Sequence, residues 1–297
     1  MAYTREQLRA KVEEIRNLPT IAKIAMKTVE LATKPDVSMS DLGQIVHQDP
    51  SLAARILSVA NSPFFGMARQ VDSLRTALGI LGLTEVQNIL FSLSIFKVAK
   101  NADSHITYDR EKLCLHSAAC GMVANILASQ LGLRNDGADV AAGLLHDVGK
   151  IIIDERFRPE FVQIFERAIA QKKDMREAET EILGASHAQI GAWLAKKWRL
   201  PDALCEAIEH HHELPASAAR KTLKDPELVA LLHLAEAFCQ CYEIGWDGDS
   251  HCCDVKESEA WEWLFSGQAK YTMSDIDQIL AETLCLFHGA RPQMFWK

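Results

Sequence analysis

The sequence predicts an all-α protein, and three observations carry that reading. Glycine and proline are sparse, 15 and 9 among 297 residues, so few positions favour turns over continuous helix. Apolar residues recur three and four apart through most of the chain, the period that lines one face of a helix. The first hundred positions contain no run of alternating β-branched residues that would read as a strand.

The elements follow in order. Thr4 at an N-cap with Gln7 three residues on opens a helix to Arg16, with Leu8, Val12 and Ile15 on one face, and Asn17-Leu18-Pro19 ends it. Ile21 to Thr33 repeats the period before Lys34-Pro35-Asp36 breaks it, and Ser40 caps Asp41 to Gln48. Asp49-Pro50 places an N-cap before a proline at the first helical position and starts a helix to Ala60. Asn61 to Gly66 is a loop whose Phe64-Phe65 reads as a plug between subdomains or, alternatively, as a patch for docking a partner. Ser73 starts another helix, and Thr84 with Gln87 caps Glu85 to Lys100. The polar segment Asn101 to Asp109 is a connector. Helical windows resume at Glu111–Leu131, Asp136–Ile153, Pro159–Gln171, Met175–Leu183, Ser186–Trp198, Asp202–His212 and Leu228–Tyr242. Gly245 to Asp254 is the longest break, and Ser274 to His288 is helical again. The connector divides the chain into an N-terminal bundle, residues 1–105, and a second helical part, residues 106–297.

Composition narrows the function classes. With 48% hydrophobic and 24% charged residues the chain reads as ordinary globular protein. A net charge of −8 opposes non-specific binding to a phosphate backbone, so nucleic acid is not an expected partner. The opening MAYTREQLRAKVEEI is charged and periodic, unlike an export signal, and the cytoplasm is the expected compartment. The apolar window Ile89 to Val98 is too short for a membrane span, so no membrane association is expected. Eight cysteines without regular spacing read as free thiols, most of them buried in the core. Cys239-x-Cys241 with His251-Cys252-Cys253 is a candidate thiolate zinc site, but the Cys-x-Cys spacing is tighter than usual and a core role suffices for Cys239 and Cys241.

His146-Asp147 lies inside the apolar run Ala141 to Leu145 and is followed by Val148-Gly149-Lys150. A carboxylate and an imidazole in such surroundings need a partner or a metal ion. His116, His187, the pair His211-His212 and Glu236 stand on separate helical windows or their edges. Imidazole and carboxylate together suit iron, manganese or zinc, and bundles assemble metal sites from several helices.

The string Ala142 to Lys150, with His116-Ser117 upstream and Ser186 to Gly191 downstream, resembles the HD superfamily of metal-dependent phosphohydrolases. Asp49 to Leu57, Ala60 to Gly66 and Ala77 to Leu83 are similar to the HDOD domain, the HD-related output domain of bacterial signalling proteins. The resemblance covers roughly residues 10 to 245. It implies an N-terminal helical bundle packed on an HD-like helical subdomain. It also implies metal ligands at His116, His146, Asp147, His187, His211, His212 and Glu236, the last where the pattern has Asp. His210 is an additional imidazole that leaves the register of the His pair open by one. Lys112 stands where the three-metal HD-GYP branch has a bridging Glu, which argues against a trinuclear centre. Glu213 is followed by Leu214-Pro215 and not by the Gly-Tyr-Pro turn of that branch, so efficient hydrolysis of cyclic di-GMP is not expected. The function implied is regulatory output through a signalling protein partner, with a retained or vestigial metal site. The alternative is a metal-dependent phosphohydrolase acting on a nucleotide ligand, with Asp147 and Lys150 as its catalytic groups.

Overall fold

A computed structural model describes residues 3–15, 56–61, 67, 70–82, 86, 108–133, 137–171, 174–245, 248, 254–265 and 271–294. The expected helices at Ile21–Thr33, Asp41–Gln48 and, apart from Val86, Glu85–Lys100, the loop residues Phe64-Phe65 and the pair Cys252-Cys253 lie outside those residues. Every regular element among the described residues is helical. Residues 56–60 and 74–82 are helical, in the windows read after Pro50 and Ser73.

Twelve further helices are α1 (Arg5–Glu13), α2 (Arg110–Gln130), α3 (Ala138–Leu145), α4 (Val148–Arg156), α5 (Arg158–Gln171), α6 (Met175–Leu183), α7 (His187–Lys197), α8 (Asp202–His210), α9 (Ser217–Arg220), α10 (Pro226–Cys241), α11 (Ala260–Leu264) and α12 (Met273–Met294). Local chemistry explains several boundaries. In α1 the Thr4 hydroxyl accepts from the Gln7 N–H while the Gln7 side chain accepts from the Thr4 N–H, the reciprocal cap read from sequence. Ser186 and Gln189 make the same box at the start of α7. Asp225 caps α10 ahead of Pro226.

Two boundaries depart from the sequence reading. The window Asp136–Ile153 is two helices, because His146 and Asp147 occupy a turn between α3 and α4. The window Asp202–His212 ends at His210, leaving His211 and His212 in the bend that follows. At both places histidines sit where a regular helix would carry their side chains around its axis. The breaks aim them inward.

Two hydrophobic clusters form the core. One joins α2, α3, α8, α10, α11 and α12. The other joins α4, α5, α6 and α7, and Leu8, Val12 and Ile15 from the start of the chain belong to it. The first helix therefore packs with the later helices even though the connector places it on the other side of residue 105. Lys197 Nζ donates to the Ile15 carbonyl at 2.7 Å and tethers the chain just beyond α1.

α2 contains a stretch, Lys112–Gln130, long and apolar enough to cross a membrane by length and composition, and 67% of its most apolar window is buried inside the fold. Its neighbours explain that character. It packs on α3, α10 and α12 as the central helix of the first cluster. Two glycines permit the closest crossings. A Cβ on Gly143 would fall on the Gly121 backbone, where α2 meets α3, and one on Gly149 would fall on the His187 carbonyl, where α4 meets α7. These contacts bring the backbones that carry the histidines within reach of one another.

The expectation of free thiols holds for Cys114, Cys120, Cys205, Cys239 and Cys285, all but the last buried. It fails at Cys241, which is disulfide-bonded. Cys241 is the last residue of α10, at the edge of the core. Cys239, two residues earlier, points into the core.

Candidate metal centre

The seven residues singled out as ligands come from five places in the fold. His116 is in the second turn of α2, His146 and Asp147 are in the turn before α4, and His187 is the first residue of α7. His211 and His212 follow α8, and Glu236 lies midway along α10. All converge in the interior. His116, His146, Asp147, His187, His211 and Glu236 are buried, and His212 is half-buried.

Their ligand atoms fall into two groups. Within each, the atoms lie within 4.8 Å of one another. The first group is His116, Cys120, His146 and Glu236, and the second is Asp147, His187, His211 and His212. In the first, Glu236 Oε2 is 2.8 Å from His116 Nε2, 3.2 Å from His146 Nε2 and 3.4 Å from Cys120 Sγ. In the second, Asp147 Oδ1 is 3.2 Å from His187 Nε2 and 3.8 Å from His211 Nε2, and His187 Nε2 is 2.9 Å from His212 Nε2. Asp147 joins the two groups, since its Oδ2 is 3.4 Å from His146 Nε2.

Four imidazoles are held by their outer nitrogen. Nδ1 of His116 faces the Ile244 carbonyl at 3.2 Å, that of His146 the Gly143 carbonyl at 2.6 Å, and that of His211 the Ile208 carbonyl at 2.7 Å. His187 Nδ1 faces Glu179 Oε2 at 2.8 Å. A carbonyl or carboxylate oxygen accepts only, so Nδ1 carries the proton and Nε2 is left to the pocket, the usual support of a metal-bound histidine. Gly245 serves the same purpose for His116. At φ +76° it turns the backbone so closely that a Cβ would lie 2.6 Å from the His116 Cα.

The inward-facing atoms suit a cation. His146 Nε2, Asp147 Oδ1 and His211 Nε2 are buried without a hydrogen-bond partner, although opposite groups stand only 3.2–3.8 Å away. Leaving such atoms unsatisfied costs about 1–3 kcal/mol each. A cation placed between such near but misaligned donors and acceptors would satisfy them. The donor set fits a borderline divalent metal.

The charges of these side chains follow from their neighbours. Burial alone would raise the Asp147 carboxyl, but Lys150 and then His146 hold it well below the usual range. Burial is likewise outweighed at Glu236, which His116 and His146 keep low. His146 is pushed up to about 9 against the effect of burial by Asp147 and Glu236, and His187 to about 10, mainly by Glu179. Loss of water and the neighbouring imidazoles drive His211 and His212 well below the usual value. Both carboxylates are thus ionised, and His211 and His212 are neutral. Lys150 is fully buried, with Nζ 3.1 Å from Asp147 Oδ2.

The His register left open by sequence is settled in space: His211 and His212 face the centre, and His210 ends α8 outside both groups. Glu213 is exposed and outside them too, as is the exposed Lys112, which pairs loosely with Asp109 at 4.0 Å. Among the described residues there are two such groups, with no third beside Lys112. Sequence reasoning missed three contributors. Cys120 is one helical turn after His116, a spacing that puts both on one face. Glu179 receives both the His187 N–H and its ring. Gln240 donates to Glu236 Oε1 at 2.7 Å, again one turn along a helix.

Comparison with known proteins places this architecture. The HDOD domain family model matches residues 18–214, and the chain belongs to that family. A crystal structure of an HDOD domain protein of unknown function from Geobacter sulfurreducens superposes with a TM-score of 0.81 at 25% identity, covering 96% of each chain. The chain is 28% identical over 206 residues to an uncharacterised protein of Treponema pallidum, covering 69% of this chain and 39% of that one. It is 34% identical over 127 residues to ribonuclease Y of Aquifex aeolicus, covering 43% of this chain and 16% of that enzyme. The chain thus spans well under half the length of the curated relatives it matches. Glu236 lies beyond the stretch matched by the family model.

Proposed function

We propose that this chain is a signal-transduction output domain of the bacterial cytoplasm that acts by binding a protein partner and holds a divalent metal, iron, manganese or zinc, in its buried centre. One observation carries the reading: three inward ligand atoms are orphaned in a centre whose members are all buried except the half-buried His212. A closed ligand set supports retention of a cation as part of the fold more than turnover of a bulky substrate. His116, His146 and Glu236 would hold it in the first pocket, and His187, His211 and His212 in the second, with Asp147 between them.

A second reading is favoured by the placement of Asp147 and Lys150 and by the similarity to ribonuclease Y. In it the chain hydrolyses a phosphoester of a nucleotide. A bound divalent cation supplies Lewis acidity toward phosphate oxygens. Asp147 would orient the centre from its shared position, and Lys150, bonded to it, would keep the carboxylate ionised and add positive charge beside the reacting group. Access would have to pass His212, the half-buried edge of the centre.

The test is metal analysis of protein purified without air or chelator, beside an Asp147→Ala control, followed by assay with cyclic di-GMP and a generic phosphodiester. The output-domain reading expects bound metal that is lost in the control and no enzyme-like turnover. Turnover that disappears in the control would promote the hydrolase reading, and protein that takes up no iron, manganese or zinc would sink both.

A further inference from the structure

The geometry points to Cys120 as a thiolate ligand of the first pocket, making it a Cys-His-His-Glu site for a thiophilic divalent cation, zinc or ferrous iron. The inference rests on the reading that this pocket holds a metal. It adds a ligand that the HD pattern does not contain.

Coordination distances decide the matter. Bonds of about 2.3 Å to sulfur and about 2.0–2.1 Å to nitrogen and oxygen, spread tetrahedrally, put sulfur about 3.5 Å from each lighter ligand and the lighter ligands about 3.3 Å apart. Cys120 Sγ is 3.5 Å from His116 Nε2 and 3.4 Å from Glu236 Oε2, and His146 Nε2 is 3.2 Å from Glu236 Oε2. Three edges of the tetrahedron are therefore already at their metal-bound lengths. The edge between His116 Nε2 and Glu236 Oε2, at 2.8 Å, is a hydrogen bond that a cation would open by about 0.5 Å. His146 Nε2 supplies the independent sign of a ligand, being fully buried, aimed into the pocket and without a hydrogen-bond partner.

The surroundings fit the role. Cys120 and His116 lie one turn apart on α2, so one rigid helix sets the distance between sulfur and nitrogen. Glu236 is steadied through its other oxygen by Gln240, and the carbonyl of Ile244 holds the far side of His116. The second pocket offers only nitrogen and oxygen. A soft ligand in one pocket and none in the other gives the two positions different metal preferences, with zinc or ferrous iron favoured over manganese in the first.

Cobalt(II) loading of the full chain tests this, read by absorption spectroscopy. The wild type should show ligand-field bands together with a near-ultraviolet thiolate-to-cobalt charge-transfer band. The charge-transfer band should vanish in Cys120→Ser while ligand-field bands from the second pocket remain, and it should persist in Cys239→Ser. Zinc affinity of the first pocket should fall by roughly 10–100-fold or more in Cys120→Ser, at least the loss that supporting residues cause. Zinc X-ray absorption of the wild type needs no variant and should show a sulfur neighbour at about 2.3 Å. Cobalt binding without a charge-transfer band, or a band that follows Cys239, would overturn the thiolate ligand and leave the metal centre standing. Failure of the wild type to bind cobalt or zinc at all would overturn the metal centre and the ligand with it.

Discussion

The two ligand pockets are built from similar side chains but stand differently toward solvent and toward the chain. The first is carried by the long helices α2 and α10 and closed by the turn at His146, and every member is buried. The second is carried by helix ends, the start of α7 and the bend after α8, and its His212 is half-buried. Ligands in the middle of packed helices cannot shift without moving the core, whereas ligands at helix ends sit beside backbone that can adjust. The first pocket is thereby the more rigidly held of the two, and the second lies nearer the surface.

Asp147 belongs to the second pocket and also reaches His146 of the first, so removing it should have the largest effect. Asp147→Ala strips the partner from buried Lys150 and from His146 and His187. It should lose metal from both pockets and cost about 3–5 kcal/mol of stability, measured by metal analysis and by denaturant unfolding in chelator. Retention of a full complement of metal would show that the pockets are independent.

Gly149→Ala probes the second pocket through packing. The new methyl would strike the His187 carbonyl and force α4 from α7, at a cost of about 1–3 kcal/mol or more. Metal titration of this variant should show one weakened site and one unchanged, because His116, Cys120 and Glu236 are anchored on other helices. Equal weakening of both would mean that the halves move as one body.

Glu179→Gln keeps the shape but removes the charge that holds His187. A loss of roughly 10–100-fold in affinity is expected at the second pocket only, read by competition with a chromogenic chelator. Ser186→Ala, which deletes the cap just before His187, should cost about 1 kcal/mol in thermal or denaturant unfolding and leave metal stoichiometry intact. Should the cap variant lose metal, the second pocket would depend on helix stability more than on the orientation of His187.

Much of this centre was legible in the chain. The ligand candidates stood out because ionisable residues interrupted apolar helical windows, and all seven converge in the interior. Cys120 was hidden by its ordinary chemistry, since a cysteine on an apolar helix face reads as core and most of the described cysteines are core. Glu179 was hidden by position, on a helix whose charged residues otherwise read as its solvated face.

By itself the sequence determined the helical character, the caps such as Thr4 with Gln7, and which residue types could bind a cation. Those properties depend on groups within about four residues of one another, so a linear pattern records them. Only the tertiary structure decided that His146 and Asp147 break a helix, that α1 packs with the later helices, and that the ligands divide into two groups joined by Asp147. Each of those outcomes rests on contacts between helices far apart in the chain: His116 and Glu236 meet across 120 positions, and α4 meets α7 through a glycine that admits the His187 carbonyl. Close packing selects among the arrangements that local pattern allows, because a backbone crossing is possible only where facing side chains are small enough to permit it.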